Sequence, residues 1–278
     1  MCRVLKVPRS GYYAWQRRRP SKRLIEDLQL TRLIRACHEE SHGTYGSPRI
    51  HQTLRRYHSV RCSRKRVARL MRQAHLVGVS HGPRPASTTH RNPKRPPHPD
   101  LVRRDFHPLA PNRLWVADIT QHPTDEGWLY LATILDAFSR RVVGWAMGEH
   151  MHADLVVDAL EMAVRTRNPE PGLIHHSDHG AQYTSILFTK RLEQSSITGS
   201  MGSVGDALDN AMAESFNATL QTELLDTQTA WRTRAELKSA IFQFIEVFYN
   251  RRRLHSALGF MSPAEFERAH EAAKADAS

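Results

Sequence analysis

From residue 113 onward, apolar runs of strand length alternate with stretches of helical period. RLWVADIT (113–120) reads as a strand with Leu114, Val116, Asp118 and Thr120 on one face. PTDEG then makes a turn, WLYLATILDA is a long apolar strand and RRVVGWAM another. The short connections between the three make them antiparallel. ADLVVDALEMAVRT (153–166) has a helical spacing, with Leu155, Ala159, Met162 and Val164 broadly inward. GLIHHSD is a short strand, SILFTKRLEQ a helix and SITGS a last short strand. A further helix, AMAESFNATLQTELL, carries the apolar stripe Ala213, Phe216, Leu220 and Leu224. The order β-β-β-α-β-α-β-α predicts an α/β fold, a mixed five-stranded sheet with flanking helices.

The first part of the chain is helical in pattern. Residues 24–40 place Leu28, Leu30, Ile34 and Cys37 near one face. Ser47-Pro48 marks a helix start, with Ser47 as N-cap and the helix running to about Tyr57. Ser63 caps another helix, with Val67, Leu70 and Met71 inward and Arg64, Lys65, Arg66, Arg69 and Arg72 largely outward. Two short helices, the second with an arginine face, form a helix-turn-helix-like pair suited to DNA. The bland reading is a small basic bundle. Eight of the fifteen prolines lie between Pro83 and Pro111, so 81–112 is expected to be an extended linker. The expected domains are therefore a basic helical DNA-binding domain (1–80), a linker (81–112), a catalytic domain (113–250) and a C-terminal extension (251–278).

Charge sharpens this division. Residues 1–110 hold 25 Lys and Arg against 6 Asp and Glu, net +19, while residues 111–278 are net −7. One half is built to hold a polyanion and the other to do something else. No apolar run reaches the roughly 18 residues of a membrane span, and the basic N-terminus lacks the apolar block of a signal peptide. The three cysteines, Cys2, Cys37 and Cys62, form no CxxC pair. A disulfide frame and a thiolate zinc site are both disfavoured, and a cytoplasmic, nucleoid-associated protein is expected.

The chemistry is expected in carboxylates. Asp118 sits inside an apolar strand, where a charge is costly unless paired or metal-bound. Asp178 stands at the carboxyl end of the strand LIHHS, a common place for ligand groups. His175, His176 and His179 surround it, but no HxxxH or HExxH completes a zinc set. In DALDNAMAESF, Asp209 or Asn210 can cap the following helix, and Asp206 falls in a glycine-rich loop. With Asn210 as N-cap, Glu214 lies one residue past the capping-box position, with Asn217 and Gln221 on the same face. It is the acid left without a structural reason. Hard oxygen ligands suit magnesium, and a pair of such ions about 4 Å apart can serve both oxygens of a phosphodiester displacement.

Asp118, Asp178 and Glu214, with 35 residues between the last two, resemble the D…D-35-E triad of retroviral-integrase-like transposases. The strings WVADIT, ILDAFSRRVVGW, LIHHSDHGAQYTS, SMGSVGDALDNAMAESFNATLQTE and YNRRRLHSALGFMSPAEF are similar to the second-reading-frame (OrfB-type) transposases of bacterial insertion sequences. VPRSGYYAW and HGTYGSPRI extend the resemblance over nearly the whole chain. The resemblance implies a ribonuclease-H-like fold and two Mg²⁺ or Mn²⁺ ions. Asp118 would bridge both ions, and Asp178 and Glu214 would each hold one. It implies cutting of the element's DNA ends and joining of the freed 3′-hydroxyl to another phosphodiester, without a covalent protein–DNA intermediate. Double-stranded DNA, self-association and an upstream-frame protein or fusion are the implied partners. Tyr249, Asn250, Arg253 and His255 match family positions, with Arg253 expected to reach a phosphate and Tyr249 to pack. Gln221 departs from the family's usual Lys or Arg and implies weaker binding of end DNA. A DNA-binding regulator without catalysis, and a nuclease without strand transfer, are the competing readings.

Overall fold

The structure, a computed structural model of the chain, describes residues 4–5, 8–80, 99–102, 105–178, 180–202, 211–228 and 230–276. It divides into two units, Met1–Val79 and Ser80–Ser278.

The first unit contains α1 (Arg9–Gln16), α2 (Lys22–Glu40), α3 (Ser47–Tyr57) and α4 (Arg64–Gln73). Ser21 and Ser63 cap α2 and α4 by accepting from the backbone N–H of Leu24 and Arg66. Gly46 takes the N-cap position of α3, so Ser47 is the first helical residue rather than the cap. The core joins Leu30, Ile34 and Cys37 of α2 to Ile50 and Leu54 of α3 and Val67, Leu70 and Met71 of α4. Leu28 is 57 % exposed, against expectation. It lies two residues before Leu30, about 200° around the helix, and so faces away from the stripe.

In the second unit, β1 (Leu114–Thr124), β2 (Gly127–Asp136), β3 (Val142–Gly148), β4 (Ile174–Ser177) and β5 (Thr198–Met201) form one sheet. Its order is β3-β2-β1-β4-β5, antiparallel across β1, β2 and β3 and parallel across β1, β4 and β5. This is the expected mixed sheet. Helices α5 (Ala153–Arg167) and α6 (Ile186–Gln194) cover one face. Helix α7 (Ala211–Glu223) covers the other, where Ala213 packs with Leu114 and Val116. The buried stripe of α5 is Leu155, Val156, Ala159, Leu160 and Ala163, with Met162 and Val164 only partly covered. Close packing of α5 on β3 requires glycine at 144: a Cβ there would lie 2.2 Å from the Ala159 carbonyl oxygen.

The end of the expected linker belongs to this unit. Val102 is buried against Leu114, Val116 and Ala137, and the Leu101 N–H donates to Ser200 Oγ at 3.0 Å. Residues 81–98 lie outside the described residues. The expected C-terminal extension is likewise integral. Helix α8 (Arg234–Gln243) runs into a π-helical turn, Phe244–Tyr249, followed by Asn250. The Asn250 side chain exchanges two 2.9 Å hydrogen bonds with the backbone of Val142 on edge strand β3. Helix α9 (Pro263–Asp276) supplies Glu267, which accepts from Ser139 Oγ at 2.7 Å, Arg141 at 2.7 Å and Arg167 at 2.8 and 3.0 Å. Arg167 also donates to Asn112 Oδ1 and approaches Asp136. One guanidinium thus joins α5, the start of β1, the end of β2 and α9.

Burial pushes the Glu267 carboxyl up, but its bonds to Arg167, Ser139 and Arg141 outweigh that and hold it below the usual range. Removing one partner of a buried ion pair strands the other. Glu267→Ala is expected to destabilise the protein by roughly 3–5 kcal/mol, read as a lower denaturant midpoint, with the loss spread over the whole second unit.

Candidate active site

Strand alternation puts Asp118 on the α7 face of β1, beyond Leu114 and Val116. β4 runs parallel to β1, and its last recorded partner is His176 beside Val116. Asp118 stands two residues beyond Val116 on β1, and Asp178 directly follows the last residue of β4, Ser177. Helix α7 packs on this face and brings Asn217, whose Nδ2 donates to Asp118 Oδ2 at 2.8 Å. Glu214 lies three residues earlier on α7, on the same side of the helix. Of the three acids expected from the sequence, Asp178 and Glu214 both stand near enough to Asp118 for their charges to act on its carboxyl.

Their electrostatics agree with this placement. Burial raises the Asp118 carboxyl to about 7, and the charges of Asp178 and Glu214 push in the same direction. The Ile119 N–H and Asn217 oppose the shift without cancelling it. Asp178 Oδ1 accepts from the Gly180 N–H at 3.0 Å. Buried Tyr183 feels Asp118 and Asp178 as well, and its hydroxyl is raised well above its ordinary value by burial first and by those charges second. Among the described residues, no group of three His, Cys, Asp or Glu side chains is gathered closely enough to hold a metal ion as the chain stands. Like charges without a counter-ion repel. The donor set is all oxygen, and its repulsion is what a hard divalent cation relieves, so these residues fit Mg²⁺ or Mn²⁺.

Asn217 is the site residue for which sequence reasoning gave no role, although its position three after Glu214 was the available signal. Its Oδ1 is buried without a hydrogen-bond partner, as is Oγ1 of Thr133, the residue paired with Asp118 across β1 and β2. His175 packs against Phe188 and Tyr183, while His176 meets Phe106 edge-on and its Nδ1 is 3.0 Å from Ser200 Oγ. His179, Asp206, Asp209 and Asn210 lie outside the described residues.

Three arginines expected at DNA are engaged within the protein. Arg253 is buried and forms a two-pronged pair with Glu223, both bonds 2.7 Å, so it cannot reach a phosphate. Tyr249, expected to pack, is buried against Phe216 and His255. On α4, Arg66 and Arg69 each donate to Asp27 of α2 at 2.7 Å, and Arg66 also reaches Glu26. The bonds from Arg69 and Arg66 hold the Asp27 carboxyl below its usual range. Those two arginines tie the bundle together, while Arg64, Lys65 and Arg72 remain exposed. Gln221 is exposed on α7 and donates to Asp226 at 2.6 Å.

Comparison with known proteins agrees with both units. Residues 25–84 match an HTH-like domain, and residues 108–207 and 195–263 match two integrase core domain models. The 31 kDa protein of insertion element IS600 of Shigella sonnei is 42 % identical over 274 residues, covering 98 % of this chain and all of that protein. The transposase for insertion sequence element IS904 of Lactococcus lactis is 41 % identical over 253 residues, covering 90 % of this chain and 98 % of its own. The HTLV-2 integrase catalytic core in complex with magnesium is 16 % identical, with a TM-score of 0.45, covering 57 % of this chain and 98 % of that one.

The Asp118 shift has a definite sign in stability. Between about 3.8 and about 7 the folded protein keeps a proton that the unfolded chain releases. Without metal, this group's contribution to stability therefore falls as pH rises through that window. Relative to wild type, Asp118→Asn should gain on the order of 1–4 kcal/mol between pH 4 and pH 8 in chelator. Mg²⁺ should raise the Tm of wild type at pH 8 and leave the variant unmoved; a pH-independent difference between the two would remove the assigned shift. On α4, Arg64→Ala and Arg72→Ala should each weaken duplex binding and reduce the salt slope by about one. Arg66→Ala should mainly lower the stability of the first unit, seen by thermal melting.

Proposed function

Because this chain belongs to the second-reading-frame transposases of bacterial insertion sequences, with an integrase core behind a helix-turn-helix-like domain, we propose that Asp118, Asp178 and Glu214 are its catalytic acids. The reaction is DNA transposition, in which the element's ends are cleaved and the freed strand is transferred to a new phosphodiester. The observation supporting the assignment is the placement of Asp118 on β1 against α7, where Asn217 donates to it at 2.8 Å, with the charges of Asp178 and Glu214 acting on the same carboxyl. Asp118, Asp178 and Glu214 would hold two Mg²⁺ or Mn²⁺ ions, which when bound activate the attacking oxygen and stabilise the leaving one.

The chain's own groups prepare this site. Asn217 and the Ile119 N–H fix the orientation of the Asp118 carboxylate. The Gly180 N–H does the same for Asp178. The proposed attack is by water and then by the DNA 3′-hydroxyl, so no side-chain nucleophile is needed and no covalent protein–DNA intermediate forms. The acidic half cannot hold DNA by charge, and the basic first 110 residues supply that grip. Acting on two ends at once calls for self-association, and an upstream-frame protein or fusion is a further partner in this reading. Its place of work is the cytoplasm, on the nucleoid. A purely DNA-binding regulator accounts for the basic half but leaves a desolvated carboxylate among two others without a purpose.

The test is a labelled end oligonucleotide incubated with target DNA and Mg²⁺. Wild type should give joined product. Asp118→Asn, Asp178→Asn and Glu214→Gln should each give none while binding the oligonucleotide as wild type does. Cut but unjoined product from wild type would indicate a nuclease, and joining retained in any variant would remove that residue from the site.

A further inference from the structure

The segment before α2 lies outside every matched domain, the first of which begins at residue 25. Within it, α1 is eight residues long and none of them is buried. Tyr12, Tyr13 and Trp15 are 40, 53 and 68 % exposed. Their rings form one cluster, with the Tyr12 centroid 5.5 Å from Tyr13 and 6.2 Å from Trp15. An isolated helix of two turns is marginal in water, and three clustered aromatic side chains left open are a surface awaiting a partner.

The charge around them selects that partner. Residues 8–25 include Arg9, Arg17, Arg18, Arg19, Lys22 and Arg23, with no acidic residue among them, and all are exposed. A second copy of this surface would be repelled by its own sign. A polyanion carrying flat, stackable rings satisfies both features at once. In an intact duplex the base faces are stacked on one another and closed to such rings. In a single strand or a frayed end they are open.

We propose that α1 and the basic stretch after it form a second nucleic-acid site, one that stacks Tyr12, Tyr13 and Trp15 on unpaired bases while the cations follow the backbone. This rests on the transposase reading, in which DNA ends are opened and strands are exchanged, and it adds a function separate from duplex binding by α4. Its place would be at the strand freed or frayed by cleavage.

The experiment uses the full chain with two fluorescein-labelled probes, a short oligodeoxythymidylate and a blunt duplex, read by anisotropy. Joining is assayed separately, so failure of the transposase reading and failure of this one are distinguishable. The triple variant Tyr12→Ala/Tyr13→Ala/Trp15→Ala should bind the single strand at least about tenfold more weakly, with duplex affinity unchanged. Arg64→Ala/Arg72→Ala should show the reverse pattern. Tyr12→Phe/Tyr13→Phe, which keeps the rings, should bind the single strand as wild type does. Since α1 buries nothing, the triple variant should keep the wild-type melting curve. Equal losses on both probes, or no loss on either, would overturn the proposal. So would a triple variant that binds both probes normally but loses self-association in sedimentation, or loses binding to phosphatidylserine vesicles; either would assign the aromatic surface to protein or to lipid.

Discussion

A carboxylate placed partway along a largely buried strand, with two more acids nearby, is the constraint that the catalytic unit is built around. Asp118 bears the cost of leaving water and the repulsion of Asp178 and Glu214. The apolar side chains of the sheet repay none of that cost. Asn217 and the Ile119 N–H reduce it, and a divalent cation would reverse its sign. The strain is local, because Val116 and Leu114 just before Asp118 lie in an apolar layer sealed by Ala213 of α7. The same helix thus closes the core with one set of residues and presents Glu214 and Asn217 to the acids with another.

Such a site needs a frame that does not yield to repulsion. Two buried ion networks provide it. Glu267 gathers Arg167, Arg141 and Ser139, and Glu223 pairs with Arg253 beside Tyr249 and His255. Each joins the C-terminal residues to the sheet or to α7, so residues beyond 250 act as scaffolding for a site that lies earlier in the chain. Buried pairs of this kind add little net stability compared with apolar packing, but they penalise any rearrangement that separates them.

In the first unit, charge is divided between structure and binding. A net of +19 in the first 110 residues invites the assumption that every arginine faces a phosphate. Asp27 shows otherwise, since it engages Arg66 and Arg69 within the bundle and leaves Arg64, Lys65 and Arg72 outside. The basic field still reaches any approaching polyanion, because one acid offsets only part of it.

The strand and helix order was legible in the sequence because periods of two and near four are local properties, and both are written into residues 113–223. The carboxylates stood out for the same reason: an acid such as Asp118 interrupting an apolar strand is a conflict visible without coordinates. Tertiary structure alone decided which charges are spent on one another. Arg253 and Glu223 lie 30 residues apart in the chain, and Arg66 and Asp27 lie 39 apart, so no local pattern could reveal that these pairs neutralise each other. The partnership of Asn217 with Asp118, 99 residues apart, was hidden in the same way. Periodicity reports which face a side chain takes, whereas the identity of the group across from it depends on how distant segments pack.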